Sequence, residues 1–123
     1  MKNIMIMAFT FVILIGCSSA GYQVSEPTAS PEAIKALQEE MKDVRDMSVS
    51  DEGVLTYNKW VQNGYRWLKG VTLNSAYEFS CVQALSILED GFTISINFKG
   101  TGGGQYNYDL QRCLDMQAEK DQE

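Results

Sequence analysis

The chain has 123 residues, 45% of them hydrophobic, and carries 16 acidic against 10 basic side chains, a net charge of −6. That length allows one small domain plus a tether, and the acidic balance argues against nucleic acid and anionic headgroups as partners. Histidine is absent, which excludes Ser-His-Asp and Cys-His catalysis and any His-based metal site.

Lys2 precedes an uncharged apolar run, Ile4 to Ile15. A membrane-spanning helix needs about 20 apolar residues, so this run is too short to span and suits a signal peptide that is removed. Leu14-Ile15-Gly16-Cys17 resembles the lipobox of bacterial lipoproteins. The resemblance implies cleavage before Cys17, a thioether-linked diacylglycerol on its sulfur and usually a third acyl chain on the new amino terminus. Each buried methylene contributes about 0.8 kcal/mol, so several chains on one residue anchor firmly. Ser18 stands where an Asp often retains such proteins at the inner membrane, so the expected location is the outer membrane, facing the periplasm. Removing residues 1–16 leaves 107 of the 123 residues and takes away Lys2 but no acid. The remainder is therefore one unit more negative than the whole chain.

With Cys17 carrying lipid, Cys81 and Cys113 remain in an oxidising compartment. A disulfide between them is expected, with two free thiols as the alternative. Closing that loop should stabilise the domain by roughly 3–4 kcal/mol in the chain-entropy model.

Residues 17–30 are rich in Ser, Gly, Pro and Thr and read as the lipidated Cys and a flexible tether. Ser30-Pro31-Glu32 is a helix start, with Ser30 as cap and Pro31 at the first helical position. Ile34, Leu37, Met41 and Val44 then form an apolar stripe. Arg45 to Ser50 and Val54 to Val61 read as a hairpin turning at Asp51–Gly53, with a helix as competitor for the second run. As a strand, Leu55, Tyr57 and Val61 share one face and Trp60 lies on the other. Tyr65 to Leu68 reads as a third strand. Asn74 or Ser75 could cap a second helix with a Tyr77, Cys81, Leu85, Leu88 stripe, ended by Gly91.

Phe92, Ile94, Ile96 and Phe98 alternate with polar residues, as does Gln105 to Leu110, and Gly100 to Gly104 joins the two runs. Such alternation marks strands with one buried and one polar face. Residues 115–123 read as a polar tail. The expected fold is α+β: a small antiparallel sheet of four or five strands, with two main helices packed on it and one disulfide, within residues 31–114.

Nothing in the sequence forms a catalytic constellation. Glu39 with Asp43, and Glu89 beside Asp90, read as solvated surface pairs. The Gly100–Gly104 loop lacks the Lys-Ser/Thr of a phosphate-binding loop and joins two strands. The expectation is a non-enzyme with no cofactor, no metal and no small-molecule substrate. The aromatics Tyr57, Trp60, Tyr65, Trp67, Tyr77 and Phe79 crowd one third of the domain. Trp and Tyr are favoured binding anchors, so Trp60, then Trp67 and Tyr65, are the candidate partner-binding residues.

Residues 81–113 resemble the AspS-type pilotins of bacterial type II secretion. The resemblance rests on Cys81, Leu85-Ser86-Ile87-Leu88-Glu89-Asp90-Gly91, the strand Phe92-Thr93-Ile94-Ser95-Ile96, a Gly-containing turn, a second strand and Cys113, with the lipobox and leading helix in keeping. It implies a non-catalytic protein that binds the C-terminal segment of a secretin subunit and carries it to the outer membrane. An acidic inhibitor or immunity lipoprotein that blocks a basic cell-wall hydrolase, with Gly100–Gly104 as contact, is the alternative. An envelope-structural lipoprotein is a third.

Overall fold

In the computed structural model, residues 22–122 are described. The expected lipidation site at Cys17 and the segment before it lie outside them. The first helix, α1, spans Pro31–Met41. The Ser30 hydroxyl accepts from the Ala33 amide at 3.1 Å, satisfying one of the donors a helix start leaves open. Ile34 and Leu37 are buried against Phe92. The helix stops at Met41, so Val44 falls beyond it and is exposed.

Strands β1 (Met47–Val49) and β2 (Val54–Trp60) form the expected hairpin. Ser50 closes its turn: its amide donates to the Val54 carbonyl at 2.9 Å, and its hydroxyl accepts from the Val54 amide at 3.1 Å.

Beyond β2 the structure departs from expectation. Tyr65 to Leu68 is not a strand but an irregular connection to the next helix. Helix α2 (Lys69–Tyr77) begins right after Leu68, earlier than an Asn74 or Ser75 cap would allow, and has no side-chain cap. It runs into a π-helical stretch, Glu78–Gln83, then α3 (Leu85–Glu89). The widened turn is closed by the Ala84 amide donating to the Phe79 carbonyl at 2.8 Å, an i to i−5 bond. As a result Ala84 is buried along with Cys81 and Leu88, while Leu85 is only half-buried.

Strands β3 (Thr93–Lys99) and β4 (Gly104–Tyr108) pair antiparallel. The segment from Leu110 to Asp121 is helix α4, so residues expected as a polar tail are mostly helical. Cys113 is buried on α4, Met116 packs on the core, and the Lys120 ammonium sits 3.6 Å from the Tyr77 ring centroid.

The sheet order is β1-β2-β3-β4. The sheet is mixed, not antiparallel throughout: β2 and β3 run parallel, with Val54 opposite Thr93 and Trp60 opposite Lys99. Parallel neighbours need a crossover, and α2, the π-helical stretch and α3 supply it. The α+β class, four strands and one disulfide stand as expected.

Register explains the two faces. Val49, Leu55, Ile94 and Tyr108 share one row, and Met47, Tyr57, Ile96 and Tyr106 the next. These rows face the helices and, with Ala76, Cys81, Ala84, Leu88 and Cys113, make the core. Leu55, Ile94 and Ile96 are fully buried, each worth about 1.5–3 kcal/mol. The opposite face is polar and bonds within itself: the Asn97 amide donates to Asn58 at 2.9 Å, and the Gln105 amide to the Ser95 hydroxyl at 2.9 Å. Cys81 and Cys113 are joined in a disulfide that ties the crossover to α4.

Residues 22–30, expected as tether, run extended and are strapped to the end of the sheet where β2 and β3 begin. The Thr28 amide donates to the Gly91 carbonyl at 2.8 Å. Gly91 is needed there: its φ is +98°, and a Cβ on it would lie 2.7 Å from the Ala29 nitrogen. Asp109, buried between β4 and α4, accepts from the Arg112 amide at 2.8 Å, the Ser25 amide at 3.0 Å and the Tyr22 hydroxyl at 3.3 Å.

Candidate binding surface at the Trp60 end of the sheet

The end of the sheet opposite the strap carries the aromatics. Trp60 is the last residue of β2 and stands beside Lys99 of β3 on the face turned away from the helices. The Val61 amide continues the pairing to the Lys99 carbonyl at 3.3 Å. The chain then turns at Gln62 to Tyr65, where the Tyr65 amide donates to the Gln62 carbonyl at 3.0 Å.

Trp67 fixes the returning segment. Its indole N–H donates to the Lys99 carbonyl at 2.9 Å, and its amide to the Thr101 carbonyl at 2.9 Å. Its ring meets Phe98 edge-on, with centroids 5.0 Å apart, and Phe98 meets Tyr106 in the same way at 5.6 Å. Gly102, at φ +76°, lets the β3–β4 loop come against this segment, for a Cβ there would lie 2.5 Å from the Trp67 carbonyl oxygen. Trp67 is thus half-buried and structural on one side.

Between these segments lies an open groove of about 370 Å³, lined by Trp60, Val61, Tyr65, Trp67, Leu68 and Val71, with Arg66 at its wall. Trp60 is 66% exposed, Tyr65 69%, Leu68 60% and Val71 53%. Four large apolar side chains left in water around one concavity are a contiguous patch of the kind that marks an interaction site. The groove is shallow and its lining mainly apolar, so it offers grip but no arranged acid, base or nucleophile.

The electrostatics of this end run against those of the whole chain. Residues 53–77 contain Lys59, Arg66 and Lys69 and no acid. Lys59 is turned to the helical side, where its ammonium donates to the Ser75 hydroxyl at 3.1 Å. Arg66, Lys69 and Lys99 are exposed, and none has an ion pair or side-chain hydrogen bond among the described residues. Helix α2 also starts here without a side-chain cap, which leaves its positive dipole end open. Most acids lie elsewhere, for example Glu32, Glu39 and Glu40 on α1 and Asp115, Glu119 and Asp121 on α4; the nearest on the sheet is Asp46, whose carbonyl accepts from the Asn58 amide at 2.9 Å, two residues before Trp60.

A second cavity, of about 310 Å³, lies at the strap end, lined by Ser25, Thr28, Leu88, Phe92, Asp109 and Leu114. Three carboxylates line it, Glu26, Glu89 and Asp109, and the buried one, Asp109, is already engaged. Burial pushes Asp109 up, but the hydrogen bonds from Ser25, Arg112 and Tyr22 outweigh it and hold the group below the usual carboxylate range. Burial and the Asp109 charge push the Tyr22 phenol up. Tyr108 is fully buried and its hydroxyl has no hydrogen-bond partner among the described residues. Burial raises it too, against the pull of the Arg112 guanidinium 4.4 Å from its ring centroid.

The three candidates Trp60, Tyr65 and Trp67 are brought together in the one groove. Tyr57, Tyr77 and Phe79 go to the core side instead, with Tyr57 and Phe79 in edge contact at 5.0 Å. Glu39, Asp43, Glu89 and Asp90 are exposed, and Glu39 pairs with Lys42. Sequence reasoning missed Leu68, Val71 and the cationic rim. The signal for the rim was present as an acid-free run in an acidic chain. No helix among the described residues is long and apolar enough to cross a membrane. No family model matches the chain, and no curated protein and no solved structure is significantly similar to it.

Proposed function

We propose that this chain is a lipid-anchored, non-catalytic binding protein of the periplasmic face of the outer membrane, which grips an apolar segment of a protein partner in the groove at the Trp60 end. The observation that carries the reading is that groove. It gathers the exposed Trp60, Tyr65, Leu68 and Val71 around one concavity. Short segments that order on binding use grooves with apolar anchors, and Trp and Tyr are the residues that anchor them. The lipobox at Leu14 to Cys17 supports the anchor. The resemblance of residues 81–113 to pilotins supports a secretin C-terminal segment as the cargo, with outer-membrane delivery as the outcome.

The acidic-inhibitor alternative has less support. It relied on net negative charge and on Gly100–Gly104 as a plug. That loop contains no acid, and Thr101 is tied to the Trp67 amide.

Two measurements test the proposal. The mass spectrum of the N-terminal peptide of native protein should show a diacylglycerol adduct on Cys17. Titration of the mature domain with secretin C-terminal peptides should give saturable binding that Trp60→Ala weakens at least tenfold, about 1.4 kcal/mol. An unmodified Cys17 thiol removes the anchor, and binding indifferent to Trp60→Ala removes the groove.

A further inference from the structure

We infer that the segment taken by the groove carries carboxylates beside its apolar residues, and that Arg66, Lys69 and Lys99 select it by charge. This rests on the groove being the partner site and adds what kind of segment fits it.

The argument starts from sign. The chain has a net charge of −6, yet residues 53–77 hold only cations. Lys99 joins them through its register with Trp60, Arg66 lines the groove wall, and Lys69 follows the lining residue Leu68. None of the three is used internally among the described residues. Charges beyond about 8–10 Å are largely screened at physiological salt. A short segment lying in the groove therefore feels the cations at its rim most, since Arg66 is among the lining residues and no acid is. Carboxylates flanking its apolar anchors would meet unpaired partners, while lysines in the same places would meet like charge, which disfavours the wrong occupant more than it strengthens the right one.

Exposed aromatics ringed by cations also suit an anionic bilayer. The shape of the charge distribution favours the protein segment. A bilayer is an extended surface and faces the acidic body as well as the groove, so the net negative charge opposes it. A segment that enters the groove avoids that opposition.

The test uses the full mature chain and three peptides with one apolar core, flanked by Glu, Gln or Lys. The chain's two Trp residues both line the groove, so intrinsic fluorescence reports directly on occupancy. The Glu-flanked peptide should bind about tenfold tighter than the Lys-flanked one, with the gap closing as salt rises. The double variant Arg66→Gln, Lys69→Gln should narrow the gap to about twofold. Equal or tighter binding of the Lys-flanked peptide overturns the charge inference but leaves the groove intact. Binding of none of the three, or binding that Trp60→Ala leaves unchanged, removes the groove as a partner site and the inference with it. The same titration with phosphatidylglycerol-containing vesicles should give no spectral shift. A shift at low lipid that matches the Glu-flanked peptide assigns the surface to a membrane and overturns the proposal.

Discussion

At the strap end, Asp109 takes hydrogen bonds from Ser25, Arg112 and Tyr22, and Gly91 takes one from Thr28. At the other end, Trp60 and Tyr65 stand in water, and Arg66, Lys69 and Lys99 have no partner among the described residues. The same two parallel strands, β2 and β3, begin at one end and finish at the other. The strap end ties down its buried carboxylate and the backbone of the strap, although Leu114 stays exposed at its cavity and the Tyr108 hydroxyl is buried without a partner among the described residues. The Trp60 end leaves apolar and charged side chains open, an arrangement that contributes little to folding and persists where a surface is used for binding. Substitutions should therefore separate the two ends: changes at the strap and core cost stability, and changes at the groove rim cost binding.

The largest effect should come from the disulfide that holds the crossover to α4. Replacing Cys81 and Cys113 together by Ala should lower stability by about 3–4 kcal/mol in urea unfolding. A loss under about 1 kcal/mol would mean that packing on α4 alone fixes that helix. Next comes Gly91→Ala, which forces a side chain into positive φ against the Ala29 backbone. It should cost about 2–3 kcal/mol and speed exchange of the Thr28 amide. Unchanged exchange at Thr28 would show that the strap is held without Gly91.

Asp109→Ala should cost about 1–2 kcal/mol, as loss of a helix cap does. Its pH dependence has a definite sign. The folded carboxyl lies below its ordinary value, so its contribution is complete above the unfolded pKa. It fades as pH falls below about 4, through the folded value. Asp109→Asn keeps a capping side chain but removes that titration, and its stability should be less sensitive to acid than that of the parent. Equal acid sensitivity in both would assign the effect to other carboxylates. The smallest effect is expected at Trp60→Ala, within about 0.5 kcal/mol of the parent in stability. A larger loss would make Trp60 a packing residue and blur the contrast between the ends.

How much of this was legible in the sequence differs by region. The Ser30 cap, the turn after Ser50, the alternation in β3 and β4 and the Cys81–Cys113 pair could be read because each is a local pattern with a local cause. The parallel pairing of β2 with β3 could not, since alternation tells which face a side chain takes and not which strand lies beside it. Tyr65 to Leu68 reads as β-forming, but its place is fixed by two bonds from Trp67 to the β3–β4 loop region, a contact far along the chain. The start of α2 was hidden because Leu68 offers no capping oxygen. Helix α4 is mostly polar and reads as a tail by composition, although Asp109 as cap and Leu110, Cys113 and Met116 at helical spacing carry its signal. At the binding surface, Trp60, Tyr65 and Trp67 stood out by residue type alone. Their neighbours Leu68 and Val71 look like core residues until the fold turns them outward.

The strap also sets the length of the mooring. An unattached chain from residue 17 to the helix at Ser30 could pay out up to about 45 Å. With Tyr22 and Ser25 clipped to Asp109, only five links separate residue 17 from the folded body, a reach of at most about 18 Å. A protein held by acyl chains on Cys17 would therefore sit close in, its berth decided by one aspartate, and opening that clip would more than double its swing.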